Sequence, residues 1–292
     1  EVEAVGETAA DRVGRIIAPV SVNGQGPYRF IIDTGANRSA LSHDLAAELG
    51  LVSSATGQIH TIDEVAVAPL VDVSSIAYAG VTLGSVQAPL INTRVLSGED
   101  GLLGVDGMRG RRLLLDFQNN CLELSQSERS RVLGPNWTAV RGELRFGHLV
   151  LIEGEVRNRK FNVLIDTGSG STLANTAARD LLRGVAVSEQ SGGAELIRAY
   201  TAGSPVMLQS RVIIPELELG EVDVTGVTAY IGDFHIFDLW GLQDEPTILI
   251  GMDVLSRANA IAIDYGRARV YFRIPRDRIT GSLLRGVANG PV

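Results

Sequence analysis

The sequence predicts an all-β protein built from two similar lobes, with only short helices. The 292-residue chain contains Asp-Thr-Gly twice, at Asp33 and Asp166, each time after an apolar run typical of a buried strand. Alternating apolar and polar stretches, broken by glycine, follow both copies and indicate hairpins. Each half then closes on an apolar-apolar-Gly-x-Asp element, at 102–106 and 249–253. Because the same order of elements occurs in both halves, the chain reads as an internal repeat.

Each Asp-Thr-Gly ends a predicted pair of strands. In the first half, residues 15–22 are apolar, a turn-forming Asn-Gly-Gln-Gly-Pro follows, and 28–32 return toward the tripeptide. In the second half, 148–156 and 161–165 repeat this pattern around a polar turn. Each Asp is therefore expected where a buried strand ends.

A short helix is predicted after each Asp-Thr-Gly. Ser42 and Asn175 are suitable N-cap residues, because their side chains accept hydrogen bonds from the free N–H groups of a first helical turn. Gly50 and Gly184 follow the leucines of each segment and are typical of helix ends.

Half-buried hairpins are predicted next, at about 58–91 and 195–231. After the apolar-apolar-Gly elements we expect a brief helical stretch and a final strand pair in each half, at 113–124 and 261–272. The predicted organisation is an N-terminal lobe, an interlobe connector, a C-terminal lobe and a tail: 1–125, 126–147, 148–273 and 274–292.

Composition, charge and the absence of known motifs disfavour several classes of protein. The formal net charge of −8 disfavours nucleic acid as a partner. No uninterrupted apolar run reaches the ~18 residues of a membrane span. Cys121 is the only cysteine, so an intrachain disulfide is excluded. The sequence contains no His-Glu-x-x-His, Gly-x-Ser-x-Gly or phosphate-loop pattern, which disfavours metallohydrolases, serine hydrolases and nucleotide enzymes. We expect no metal and no cofactor.

The two Asp-Thr-Gly loops, each matched by a later apolar-apolar-Gly, resemble the pepsin and retroviral-protease superfamily of aspartic peptidases. The resemblance covers about 15–272. Asp-Thr-Gly-Ala in the first half is similar to the retroviral version, and Asp-Thr-Gly-Ser in the second is closer to pepsin. The nearest resemblance is to bacterial retropepsin-like proteins that carry two repeats in one chain. It implies the bilobal acid-protease fold, with two barrel-like lobes related by a pseudo-twofold axis.

The resemblance implies an aspartic endopeptidase with Asp33 and Asp166 as its catalytic pair. Two carboxyl groups at contact distance share one proton, so the ionised one can activate water while the protonated one stabilises the carbonyl oxygen. The sequence leaves open which residue is which. The implied partner is a peptide or protein substrate, and a single chain is expected to act as a monomer because it holds both carboxylates. The family and the absence of an initiator Met before Glu1 suggest an exported or periplasmic protein.

Supporting roles follow for the residues around each Asp. Those residues are Thr34, Gly35, Ala36, Thr167, Gly168 and Ser169. The resemblance implies that the threonines bond across the lobes and that the glycines let N–H groups point at the carboxylates. In the pepsin type, a hydroxyl after the glycine can bond the ionised carboxylate. Ala36 lacks that donor and Ser169 retains it, which predicts activity in the mildly acidic range.

Mobile hairpins cover the substrate in this superfamily, and the corresponding stretches are 57–69 and 192–205. The first carries Asp63 and Glu64 where a glycine-rich tip is expected. The candidate substrate-contacting residues on these two hairpins are Ile62, Asp63, Tyr200 and Thr201. One alternative from another class stays open, namely a catalytically inactive bilobal module that binds peptides.

Overall fold

The computed structural model describes residues 2–11, 14–128, 133–134, 136–146, 149–185, 187–189, 197–199, 206–208, 210–274 and 283–284. Strands dominate both halves, and the described helices have four to six residues. A helix of six residues is far too short to span a bilayer, and none of the described segments forms a longer apolar one.

The first half contains thirteen described strands and one helix. The strands are β1 Val2–Glu7, β2 Ala9–Ala10, β3 Ile16–Val22, β4 Gln25–Ile32, β5 Ala40–Ser42, β6 Ser53–His60, β7 Val65–Val73, β8 Ile76–Tyr78, β9 Val81–Leu83, β10 Val86–Ile91, β11 Gly101–Leu103, β12 Arg111–Asp116 and β13 Cys121–Gln126. The helix is α1 His43–Glu48.

The rest of the described chain contains thirteen further strands and three helices. The strands are β14 Trp137–Arg145, β15 Leu149–Val156, β16 Arg159–Ile165, β17 Thr172–Ala174, β18 Val187–Glu189, β19 Ile197–Ala199, β20 Val206–Leu208, β21 Ser210–Leu219, β22 Val222–Ile231, β23 Thr247–Ile250, β24 Ala260–Asp264, β25 Arg269–Arg273 and β26 Leu283–Leu284. The helices are α2 Thr176–Leu181, α3 His235–Leu239 and α4 Met252–Leu255.

The same strand arrangement surrounds the end of β4 and the end of β16. In the first half β11 lies parallel to β4, with Leu103 beside Ile32. In the second half β23 lies parallel to β16, with Ile250 beside Ile165. Each apolar-apolar-Gly strand therefore runs alongside the strand that leads to an Asp-Thr-Gly. The buried aliphatic side chains of these strands hold both loops on a packed core.

A 14-stranded sheet shared by the two halves joins the lobes; its order begins β1-β13-β12-β24-β25-β14 and continues through β15 into the strands of the C-terminal lobe. The two halves meet at the pair of β12 with β24, in which Leu113 lies opposite Ile263 and Leu115 opposite Ile261. These four side chains are buried in one continuous core cluster. The register is symmetric, since the matching segments of the two halves pair antiparallel about Leu114 and its partner in β24.

The mostly β, two-repeat fold predicted from the sequence is confirmed. The predicted helix caps are confirmed as well, because the Ser42 and Asn175 side chains accept from the N–H groups of Leu45 and Ala178 at 3.0 and 2.8 Å. The exact lobe boundaries stay a prediction.

Strand β14 and helix α3 are among the elements that were not predicted. Strand β14 lies inside the predicted connector and pairs with β15 and β25. Helix α3 has five residues and no side-chain cap, and it is stabilised by burying Ile236 and Phe237. A segment this short carries no helical periodicity in its sequence, so its packing decides its conformation. In the tail, the described residues form β26, which pairs parallel to β22.

Candidate active site

The ends of β4 and β16 bring the two Asp residues to one cavity between the lobes. The Asp33 N–H donates to the Leu103 carbonyl, and the Asp166 N–H donates to the Ile250 carbonyl, both at 3.0 Å. Both side chains line a cavity of about 160 Å³. Each carboxyl group lies against the loop that carries the other, beside Gly35 and Gly168. The two residues that the sequence singled out are thus brought together, 133 positions apart in the chain.

The two threonines bond across the lobe interface in a reciprocal pattern. Thr34 Oγ1 donates to the Ile165 carbonyl at 2.8 Å, and Thr167 Oγ1 donates to the Ile32 carbonyl at 2.7 Å. Each hydroxyl also accepts the backbone N–H of the opposite threonine, at 3.0 and 3.2 Å. Both threonines are buried, so these bonds are shielded from water. The result is a rigid connection between the two loops.

Glycine is required after each threonine because the opposite carboxyl group lies against it. A Cβ on Gly35 would stand 2.8 Å from Cγ of Asp166, and a Cβ on Gly168 would stand 2.3 Å from Cγ of Asp33. The carboxyl group is the nearest neighbour in both cases, so an added Cβ would have to push it away. A side chain at either position would therefore separate the two carboxyl groups.

Backbone N–H groups and burial set the protonation of the pair. Asp33 Oδ1 accepts from the N–H groups of Gly35 and Ala36 at 2.9 and 3.0 Å, and Asp166 Oδ1 accepts from Gly168 at 2.8 Å. Burial raises the pKa of Asp166 strongly, and the charge of Asp33 raises it further. Burial also raises the pKa of Asp33, but the two N–H donors oppose that shift. A pair of this kind retains a proton in conditions where ordinary carboxyl groups are ionised.

The hydroxyl of Ser169 does not bond the carboxylate. Its Oγ donates to the carbonyl of Ser171 at 2.7 Å, which uses its single proton. The expectation that Ser169 supplies a hydroxyl donor to Asp166 is therefore wrong. Both loops hold their carboxyl groups without a hydroxyl after the glycine.

The glycine of each apolar-apolar-Gly element packs behind an Asp-Thr-Gly loop. A Cβ on Gly104 would stand 2.5 Å from the carbonyl carbon of Arg38, and one on Gly251 would stand 2.5 Å from the carbonyl oxygen of Ser171. Only glycine permits these backbones to approach so closely.

The Asp at the end of each element also has a structural role. Asp106 accepts from the Ser39 hydroxyl at 2.8 Å, and Asp253 accepts from the Thr172 hydroxyl at 2.9 Å. Ser39 and Thr172 occupy matching positions in the two repeats, six residues after each catalytic candidate. The sequence analysis missed this second pair of contacts, although the repeated spacing was available to reveal it.

A hairpin of the N-terminal lobe covers the cavity. We call β6, β7 and their connecting tip at 61–64 the flap. The Ile62 side chain packs against the apolar cluster around α3 of the C-terminal lobe. The Asp63 side chain is exposed and lines neither of the cavities described here. Tyr200 and Thr201 lie outside the described residues, between β19 and β20, which pair with each other.

A second, larger cavity of about 610 Å³ adjoins the first beneath the flap. Its walls come from both lobes and are largely apolar, and they include Ile59, Leu70, Ile91, Phe146, Leu239 and Trp240. The two cavities share Gly35, Ala36, His60, Leu102, Ile236 and Trp240. The sequence analysis missed Trp240, whose position depends on how α3 docks.

Arg15 is a further residue that the sequence analysis missed. It lies in the wall of the smaller cavity, 9% exposed, and its charge lowers the pKa of Asp33. Its Nε atom pairs with Asp11 at 2.7 Å, and a terminal nitrogen donates to Ser97 Oγ at 2.8 Å. These partners hold the guanidinium in place.

Two carboxyl groups on twofold-related loops, joined by cross-bonded threonines, define a bilobal protein of the aspartic type. A sequence model described as aspartyl protease matches residues 18–106 and 152–254, which together make up more than half of the chain. The chain therefore belongs to the aspartyl protease family, and the match falls once on each repeat. No curated protein matches the chain in sequence.

Proposed function

We propose that the chain is an aspartic endopeptidase that hydrolyses peptide bonds with water activated by Asp33 and Asp166. The observation that carries this proposal is the pair of buried carboxyl groups in one cavity, both with raised pKa. Two carboxyl groups that share a proton are the arrangement on which aspartic proteases rely. A purely structural pair would have no need of the larger apolar cavity beside it.

The surroundings of the two carboxyl groups favour Asp33 as the ionised member. Asp33 accepts two backbone N–H bonds and lies near the charge of Arg15, and both influences stabilise a carboxylate. Asp166 is more deeply buried and feels the charge of Asp33, so it retains the proton. The pKa values at which the two protons are lost are properties of the coupled pair and not of either residue alone.

In the proposed mechanism, Asp33 takes a proton from a water molecule held between the two carboxyl groups. The hydroxide that forms attacks the scissile carbonyl carbon, while Asp166 donates its proton to the carbonyl oxygen. The tetrahedral intermediate then collapses as Asp33 returns its proton to the leaving nitrogen and Asp166 recovers one from the hydroxyl. Protons balance over the cycle, and the pair ends with the single proton with which it began.

The substrate is a peptide that lies in the cleft beneath the flap. The larger cavity suits an apolar side chain, because its lining is mainly aliphatic and aromatic. One chain supplies both carboxyl groups, so we propose that the monomer is active. The exported or periplasmic location expected from the resemblance stays a proposal.

A peptide-binding module without activity is the second candidate. It is favoured by the contacts that hold the flap against the C-terminal lobe, which leave a small cavity over the carboxyl groups.

The deciding experiment is cleavage of casein and of a fluorogenic peptide library by the purified protein, with Asp33→Asn as the matched variant. We expect cleavage by the natural chain alone, inhibition by a statine-type mimic of the transition state, and full activity with a chelator present. Peptide binding without cleavage, equal in both proteins, would establish the inactive module instead.

A further inference from the structure

Three separate contacts tie the flap to α3 of the other lobe. The Ile62 carbonyl accepts the N–H of Ile236 at 3.2 Å. The Ile62 side chain packs on the cluster that contains Phe237 and Trp240. Beside them, His60 Nδ1 lies 2.9 Å from His235 Nε2, and the two rings lie edge to edge, with centroids 5.3 Å apart and planes 17° from parallel. The closed flap is therefore fastened at its tip.

These contacts narrow the space directly over the carboxyl pair. The flap residues His60, Thr61 and Ile62 line the cavity over the pair together with Ile236. The cavity over the pair, about 160 Å³, is smaller than the ~300–1,000 Å³ of ordinary ligand pockets, although it adjoins the larger cavity. A peptide must pass through the cleft that the flap closes, so the flap has to leave α3 before binding.

We propose that His60 and His235 are positioning residues that form a proton-sensitive latch, which keeps the flap closed above the pH range of imidazole titration and releases it below. This inference rests on the proposed function for its consequence in catalysis, but the latch itself is a property of the structure.

The chemistry of the imidazole pair gives the latch its direction. A bond between two imidazole nitrogens needs an N–H on one ring and a lone pair on the other. When both rings are protonated, neither Nδ1 of His60 nor Nε2 of His235 can accept, and two positive charges face each other at contact distance. Histidine side chains take up protons between about pH 5 and 8, within the range in which a mildly acidic protease would be switched on.

Other ionisable groups lie near the pair along the chain or in the walls of the two cavities. Asp63 and Glu64 lie on the flap tip, and Asp233 and Asp238 flank His235 along the chain. Arg38 lines the larger cavity with His60, and Arg15, Asp33 and Asp166 line the smaller one.

The latch predicts an effect on KM and little effect on kcat. Substrate binds only the open fraction of the protein, so its apparent affinity falls in proportion to that fraction. One neutral hydrogen bond stabilises the closed form by an amount that corresponds to roughly a two- to tenfold change in population. We therefore expect KM to rise about two- to tenfold from pH 5 to pH 7.5 for a peptide without ionisable side chains.

Two substitutions at one position separate the hydrogen bond from the titration. His235→Asn removes the nitrogen that His60 contacts, because the shorter side chain does not reach it. His235→Gln places an amide where that nitrogen was, and its carbonyl can accept from His60 in either protonation state. We expect the Asn variant to show a low KM at both pH values and the Gln variant a high KM at both. His43→Asn, at an exposed histidine on α1, is the matched control and should behave as the natural chain.

A distance measurement tests the latch without relying on peptide cleavage. Spin labels are placed at Val67→Cys on the flap and Asp244→Cys in the C-terminal lobe, both exposed, with Cys121→Ser and Asp33→Asn in the background. We expect the label distance to lengthen at pH 5 relative to pH 8, and this change to disappear with His235→Gln.

The two measurements distinguish failure of the latch from failure of the proposed function. Distances that do not respond to pH, or a KM in His235→Asn that follows the natural chain, would overturn the latch and leave the proposed protease intact. Distances that respond to pH in the labelled protein, together with a natural chain that cleaves no peptide, would support the latch and reject the protease.

Discussion

The two Asp-Thr-Gly loops share one framework but hold their carboxyl groups in different surroundings. In both, a threonine bonds across the lobes, and the N–H of the following glycine donates to the adjacent carboxylate. The difference lies on the neighbouring strand. Strand β3 pairs with β4 so that Ile17 lies opposite Ile31, and Arg15 lies just before β3 as Asp33 lies just after β4.

The second lobe has an apolar residue at the corresponding place. Strand β15 pairs with β16 so that Leu151 lies opposite Leu164, and Leu149 begins β15 as Asp166 follows β16. Leu149 is buried and contributes no charge. The comparison teaches that the symmetric contacts fix the geometry of the pair, whereas unsymmetric neighbours decide where its proton lies.

The largest effect on activity is expected from the loss of either carboxylate. Asp33→Asn and Asp166→Asn should each lower kcat by more than about a hundredfold, and the double variant should be hardly slower than either, because both groups act in one transition state. Single-turnover cleavage of one fluorogenic peptide measures this. Retention of more than about a hundredth of the natural rate in either single variant would contradict the shared-water mechanism.

The same variants should gain stability at neutral pH. Folding raises the pKa of both carboxyl groups, so the folded pair binds protons more tightly than the unfolded chain. The stability that the folded protein gains from this tighter proton binding is complete below the unfolded pKa of about 4. It is lost as the pH rises through the pKa values of the folded pair. Asn removes one charge from the pair, so each variant should have a higher urea midpoint than the natural chain at pH 7. At pH 4 the difference between their midpoints should be smaller.

The shared framework predicts equal losses from the two threonines. Thr34→Val and Thr167→Val each remove a buried hydroxyl and leave backbone groups of the opposite loop without a partner, so each should lower the free energy of unfolding by about 1–3 kcal/mol. Thr82→Val, at an exposed place in β9, is the control and should change little. A large loss from one threonine and none from the other would show that the framework is not symmetric.

Arg15→Leu tests the difference between the lobes, because it gives the first lobe a leucine like Leu149 of the second. Without the guanidinium the carboxylate form of Asp33 is less favoured, so the acid limb of the pH–rate profile should move upward by up to about one pH unit. Arg29→Leu is the control, because Arg29 is paired with Glu99 at the surface and lines neither cavity. A downward movement of the acid limb would contradict the role assigned to Arg15.

The smallest effect is expected from Ala36→Ser, which copies the residue after the glycine from the second loop. The new hydroxyl should donate to the Arg38 carbonyl, as Ser169 donates to the carbonyl of Ser171. Both limbs of the profile should therefore move by less than about 0.3 pH unit. A fall of a full unit in the alkaline limb would show that a hydroxyl at this place reaches the carboxylate after all.

Local patterns predicted much of this protein, and long-range packing decided the rest. The strands leading to Asp33 and Asp166 and the caps at Ser42 and Asn175 depend on neighbours in sequence, which is why they could be read directly. The position of Arg15 depends on the register of β3 with β4, and that register shifts between Val20 and Val22. A bulge of this kind leaves no reliable mark in the sequence.

The contact between the flap and α3 could not be predicted from the sequence either. It joins His60 to His235, 175 positions away, through a five-residue helix that forms only where it is packed. The catalytic roles of the two Asp residues stay predictions until activity is measured.

The twofold pairing of β12 with β24 has a consequence for how such a protein can diverge. In an assembly of two identical subunits every substitution appears on both sides of the axis, so the two halves cannot specialise. Here the halves are covalently joined, and association between them is intramolecular at any dilution. One half can therefore acquire an arginine near its carboxylate while the other keeps a leucine. The two halves of the duplicated chain can become chemically different and still remain associated.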